Sequence, residues 1–139
     1  MIKAINTFLF FGALLGSANA QVPSGFKSLF NGKDLKQWHT SPTSHQGTVG
    51  NFYVEGGAIT LKQHPSGQGG VLLTNKKFKD FELYVEVKID SFCNGGIFLR
   101  STESGQAYQI ELAIPGGTGS LLGEAMQISK SVEAREIAN

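Results

Sequence analysis

The chain has little of several things, and each shortage closes a class of function. It holds one cysteine, Cys93, in 139 residues. That excludes an intramolecular disulfide and any zinc site built from several cysteines. With no histidine near it in sequence, Cys93 reads as a buried or inert thiol rather than an activated nucleophile. Charge of one sign is also missing: 12 basic residues face 11 acidic ones, and Lys76, Lys77 and Lys79 read as a solvated turn. A near-neutral domain without a Lys/Arg cluster has no electrostatic footprint for DNA, RNA or an anionic membrane surface. No Gly-Lys-Ser/Thr ending follows the glycine-rich stretch at 115–123, and its spacing is not a dinucleotide fingerprint, so that stretch predicts a turn leading into a short strand. Amphipathic helical runs are scarce, whereas the chain holds 18 glycines.

Residues 1–20 form a segment of their own. Lys3 precedes an apolar run from Phe8, and Ala18, Asn19 and Ala20 give the small-x-small pattern that a signal peptidase cuts. The run is short for a bilayer span, which argues against a retained anchor, and no second hydrophobic stretch exists. The expectation is a removable signal peptide over 1–20 and a single domain over 21–139. That product would be exported, periplasmic or extracellular, with no stable membrane insertion. Loss of Lys3 leaves the domain with no net charge.

The clearest periodicity lies in residues 80–112. Phe81, Leu83, Val85, Val87 and Ile89 alternate with Glu82, Tyr84, Glu86 and Lys88, the period-2 pattern of a half-buried strand. Two further strands, 97–100 and 108–112, are separated by turn residues, which predicts three consecutive antiparallel strands in one sheet. A register pairing Arg100 with Gln109 also pairs Phe98 with Glu111 and sets all four on one polar face. Ile97, Leu99, Ile110 and Leu112 then form the core face. Upstream, an Asn31-Gly32 turn is expected to insert Phe30, Leu35 and Trp38 into the core. Residues 40–50 predict a loop, 51–62 two strands around Gly56-Gly57, and 70–75 another short strand. Strands spaced this regularly predict an all-β antiparallel sandwich. Residues 124–139 carry mixed signals and receive no assignment.

Several stretches, taken in order, resemble the 3-keto-disaccharide hydrolase family. They are GFKSLFNGKDL at 25–35 with Trp38, YVEGGAI at 53–59, LLTN at 72–75, FKDFEL at 78–83, NGGIFLR at 94–100, YQIE at 108–111 and TGSLLG at 118–123. The resemblance implies a concanavalin A-like jelly-roll β-sandwich. Two departures stand out: Asn94-Gly95-Gly96 replaces the family's usual Asn-Ser-Gly, and the Trp-Asn strand that follows in the family is not found before Asn139. The expectation is therefore a sandwich missing its last strands.

The resemblance further implies cleavage of a glycoside whose sugar carries a ketone at C3. The ketone acidifies the C2 proton; a base removes it, the C1 substituent leaves, and water adds back. Such chemistry needs a base, an electrophile for the developing enolate and a pocket that orients the ring. The candidates are Glu111 as base, Arg100 as electrophile or carboxylate orienter, Gln109 and Phe98 as substrate-binding groups, and Tyr108 or Trp38 as stacking platforms. Tyr108 is the weakest of these, because alternation sets it with Ile110.

The plain alternative is a cross-strand polar pair on a solvated sheet face, with Trp38 in the core. Cofactors stay unassigned: His39, His45 and His64 show no ligand spacing, and a divalent metal bound through carboxylate and imidazole has no clustered ligands in sequence. A conventional retaining or inverting glycosidase needs two flanking carboxyl groups. Gln109, Glu111 and Ala113 supply only one on that strand. A lectin-like carbohydrate-binding module without a base is the alternative from another class. The expected partner in either case is a carbohydrate; oligomeric state is unassigned.

Overall fold

A computed structural model describes residues 2–7, 21–63 and 69–126, the first of these segments as backbone only. The described residues form ten strands and contain no helix, so the expected all-β class holds, and among them no helix is long and apolar enough to cross a membrane. The strands are β1 (Ile2–Thr7), β2 (Lys27–Ser28), β3 (Trp38–Thr40), β4 (Asn51–Glu55), β5 (Ala58–Lys62), β6 (Leu72–Thr74), β7 (Phe81–Glu86), β8 (Asn94–Leu99), β9 (Ala107–Ala113) and β10 (Leu121–Glu124). Apart from those of β1, the pairings are antiparallel: β10-β9-β8, β3-β6 and β4-β5. The first loop of the β4–β5 hairpin shows how sequence becomes turn. Gly56 and Gly57 take φ of 58° and 80°, the two positive angles that the tight hairpin connection demands.

The predicted triple of strands is corrected. β7 does not join β8 and β9; it lies parallel to β1, with Ile2 opposite Phe81 and Thr7 opposite Glu86, while β10 takes the third place beside β9. Alternation specified β7 as half-buried, and Phe81, Leu83 and Val85 are indeed its less exposed side. It could not name the partner, because residues 87–93 are too many for a hairpin turn. They fold instead through an Asp90–Cys93 turn with Phe92 at φ 63°. Val87 and Ile89, expected to extend β7, lie beyond its end. Part of the expected leader, Ile2–Thr7, is the strand between β2 and β7; residues 8–20 and the unassigned 127–139 lie outside the described residues.

Among the described residues the buried apolar set is small: Phe30, Ala58, Ile59 and Ala107. The Asn31 turn that presents Phe30 forms as expected, with the Asn31 side-chain oxygen accepting from the Lys33 and Asp34 amides at 2.8 and 3.0 Å. Leu35 and Trp38 are half-buried. Between the strand groups runs a trough of about 1820 Å³. That exceeds the roughly 300–1,000 Å³ of a fitted small-ligand pocket, so the trough is a shared interior space rather than a mould of one ligand. The candidate site is the part of it floored by β8, β9 and β10.

Candidate functional site

The floor is set by register. β8 and β9 pair Phe98 with Gln109 and Gly96 with Glu111, two residues away from the expected register. The connecting loop is tighter than predicted: the Thr102 amide donates to the Gln106 carbonyl, Gly105 turns at φ 90°, and Ala107 is already in the strand. A shift of two keeps every side chain on its face, because the period of a strand is two. Phe98, Gln109 and Glu111 thus stay together as expected, but their partners change. Glu111 now faces a glycine, and Arg100 is no longer opposite Gln109.

Arg100 leaves the floor altogether. Its φ of 56° ends β8, its guanidinium donates to the Lys79 carbonyl at 2.9 Å, and it lies 5.8 Å from the centre of the Phe81 ring. It ties the β6–β7 turn to the end of β8. Tyr108 points to the other side of β9 and is 42% exposed, away from Gln109 and Glu111. Trp38 on β3 lines another wall of the trough, half-buried, with an indole N–H that finds no partner among the described residues.

The polar face is the more enclosed side of β9, against expectation: Gln109 and Ala107 are buried, while Ile110 and Leu112 are only half-buried. Gln109 leans across Gly96, where a Cβ would sit 2.6 Å from its Cγ and Nε2. Its amide donates to the Gly95 carbonyl at 3.2 Å and to Glu111 Oε2. Glu111 is half-buried, and burial first, then the charge of Glu124, pushes its carboxyl above the ordinary range. The glycine-rich turn after β9 holds Glu111 from behind. The Glu111 amide donates to the Ser120 carbonyl and the Gly119 amide to the Glu111 carbonyl, both at 2.8 Å.

Glu124, His45 and Gln46 belong to this site and were not anticipated. β10 pairs Leu122 with Gln109 and Glu124 with Ala107, which sets Leu122 and Glu124 on the same floor. His45 Nε2–H donates to Glu124 Oε1 at 2.6 Å, and the Gln46 amide donates to the same oxygen at 2.7 Å. The other imidazole nitrogen donates to the Ser104 carbonyl at 2.8 Å. Both ring nitrogens face acceptors, so the arrangement favours the imidazolium; Glu124 first and the Ser104 carbonyl second raise the His45 pKa. The alternation Leu122-x-Glu124 was a signal available in the sequence. His45 had none, since its loop meets β10 only in three dimensions.

Among the described residues no group of three His, Cys, Asp or Glu side chains converges to hold a metal ion. Burial, then Asp90, pushes the Cys93 thiol up, so it keeps its proton at neutral pH and is a poor nucleophile. The floor therefore offers one activated carboxyl, one tethered carboxylate, a buried amide and two apolar side chains, Phe98 and Leu122. Such groups can accept hydrogen bonds from hydroxyl donors and can take up a proton.

Comparison with known proteins identifies a family. The family model described as the 3-keto-alpha-glucoside-1,2-lyase-like domain covers residues 25–138, a span that includes every residue of this floor. No curated protein and no solved structure matches the chain. The match extends over most of the sequence, and the chain belongs to the 3-keto-alpha-glucoside-1,2-lyase-like domain family, a carbohydrate-related β-sandwich group.

Proposed function

We propose that this chain is a hydrolase that cleaves the glycosidic bond of 3-keto-disaccharides or other 3-keto-glycosides, with Glu111 as the base. The observation that carries the reading is the setting of Glu111: a half-buried carboxyl with a raised pKa, opposite the side-chain-free Gly96, on the floor of a trough. A base for a C2 proton works best with a pKa moved toward neutrality, and burial does that here. Glu111 takes the C2 proton and the electron pair forms the enolate of the 3-ketone. The C1–O bond then breaks, and the departing oxygen takes a proton. Addition of water to C1 of the enone and return of a proton to C2 complete the hydrolysis; release at the enone stage would make the same site a lyase. Gln109 holds the Glu111 carboxylate through its amide. Arg100, committed to the Lys79 carbonyl and Phe81, is given no part in the chemistry. Export of the domain is part of the same proposal, supported by the leader pattern of residues 1–20.

The test is turnover of 3-keto-trehalose against unoxidised trehalose, followed by release of free glucose and by the absorbance of the enone. Turnover of the ketone only is expected. Glu111→Gln should lower it by roughly 10²–10⁴-fold with ligand binding little changed. Undiminished turnover in that variant removes Glu111 from the reaction, and sugar binding without turnover in the parent chain supports the lectin-like module instead.

A further inference from the structure

The floor of β8, β9 and β10 presents acceptors and no Lys or Arg. The Gln109 amide is oriented by its own bonds: its nitrogen faces the Gly95 carbonyl and the Glu111 carboxylate, so its oxygen is turned away from both. Gln109 is only 5% exposed, and that oxygen has no partner among the described residues. A buried acceptor left unpaired is costly, and a ligand hydroxyl would relieve the cost. Glu124 shows a related asymmetry. Both donors that reach it, from His45 and Gln46, end on Oε1, while the second oxygen takes no hydrogen bond from the described residues. No Lys or Arg stands on this face of the three strands. Lys62, Lys76, Lys77 and Lys88 line the trough from other segments, as does Arg100, whose guanidinium is bonded to the Lys79 carbonyl.

We propose that Glu124 is a substrate-contacting, specificity-determining residue that, with the Gln109 oxygen, selects a neutral hydroxyl-bearing sugar ring and rejects rings carrying a carboxylate or phosphate. The open Glu124 oxygen takes a hydroxyl donor, the enclosed Gln109 oxygen is met by a second as the ring seats, and Phe98, paired in register with Gln109, offers an apolar surface to the ring's C–H face. An anionic sugar seated on this floor would meet Glu111 and Glu124 together, and the His45 imidazolium beside them is already spent on Glu124 Oε1. His45 and Gln46 are positioning residues: they hold the carboxylate in place without occupying its second oxygen. The inference rests on the floor being the sugar site, as proposed above, and not on the elimination chemistry.

The experiment measures binding of methyl glucoside and of methyl glucuronide to the full chain by ligand-observed NMR titration, so that no reaction is needed. Wild type should bind the glucoside at least about tenfold more tightly than the glucuronide. Glu124→Gln should weaken the glucoside roughly tenfold, the scale of a lost hydrogen bond to a charged group, and bring the two sugars within about threefold of each other. Where Glu124→Gln fails to unfold cooperatively, His45→Gln serves instead: it leaves the carboxylate but removes one tie, so glucoside affinity should fall several-fold while the glucuronide stays excluded. Equal affinity for the two sugars in wild type, unchanged affinities in Glu124→Gln, or binding of neither sugar would overturn the proposal. Sugar binding that depends on Glu124 in a chain with no turnover of 3-keto-trehalose would refute the elimination reading and leave this one standing.

Discussion

Replacement of Gly96 by alanine tests the geometry on which the site depends. A Cβ at Gly96 would meet the Gln109 Cγ and Nε2 at 2.6 Å and Cδ at 2.8 Å, distances that real Cβ atoms do not show. Gln109 cannot step aside freely, because it is 5% exposed and its amide is bonded to the Gly95 carbonyl and the Glu111 carboxylate. Displacing it breaks one neutral and one charge-assisted hydrogen bond, about 2–4 kcal/mol if neither is replaced by water. Alanine returns about 0.5–1 kcal/mol of backbone entropy in a strand, so a net loss of roughly 1–3.5 kcal/mol is expected. In a domain of this size that lowers the thermal midpoint by on the order of 10 °C. Gly95 is the internal control: no atom lies within 4 Å of a Cβ there, and Gly95→Ala should be neutral or stabilising by up to about 1 kcal/mol. The assay is cooperative unfolding followed by far-UV circular dichroism, with Gly96→Ala repeated in a Gln109→Ala background. There its cost should shrink to that of Gly95→Ala. If Gly96→Ala is as stable as Gly95→Ala, or costs as much without Gln109 as with it, Gln109 does not lie across Gly96 and the support assigned to Glu111 is wrong.

Two further outcomes follow from the same structure. His39 donates to the Asn75 side-chain oxygen at 2.7 Å and to Glu103 at 3.0 Å. Those bonds raise its pKa above 6.5, as Glu124 and the Ser104 carbonyl do for His45. A raised folded-state value stabilises fully below 6.5 and is lost as pH climbs through it, and raised Glu111 acts in the same direction from lower pH. The thermal midpoint should therefore fall between about pH 5.5 and about pH 8.5. Both imidazoles are 39% exposed, so each contributes at most about 1 kcal/mol. Replacing both histidines by glutamine should flatten the profile, and a midpoint that rises with pH would contradict the bonding described. As to export, N-terminal sequencing of the secreted product should begin near Gln21. Retention of Met1, with Ile2–Thr7 still protected from hydrogen exchange beside Phe81–Glu86, would show that this strand belongs to the working fold and is not a leader.

Much of the fold was written in local chemistry. The glycine pair at 56–57 specified its hairpin because both positions need positive φ, and the Asn31 side chain specified its turn by capping two amides. Alternation gave the inward side of β7 correctly, at Phe81, Leu83 and Val85. What it lacked was non-local. The partner of β7 lies some 80 residues away in β1, and no periodicity in either strand names the other. The burial of the polar face was likewise hidden: Gln109 reads as a surface residue until Gly96 is seen beneath it and the Gly95 carbonyl beside it.

The site illustrates how an error of two in register can spare the face and still change the chemistry. In the expected pairing Glu111 faced Phe98 and neighboured Arg100, a guanidinium that would have held its carboxyl ionised and its pKa low. In the observed pairing Glu111 faces Gly96, its bond partner is a neutral amide, and the nearest charge acting on it is the like-signed Glu124. The sign of the shift is thereby reversed. A carboxylate paired with arginine makes a weak base and a stable ion pair, whereas one that is half-buried beside another carboxylate holds a proton more readily. The same residue, on the same face, changes from a partner for arginine into a carboxyl that takes up a proton more readily, and it does so because the two-residue shift would set Arg100 opposite Ala107, away from Glu111, even if β8 continued that far.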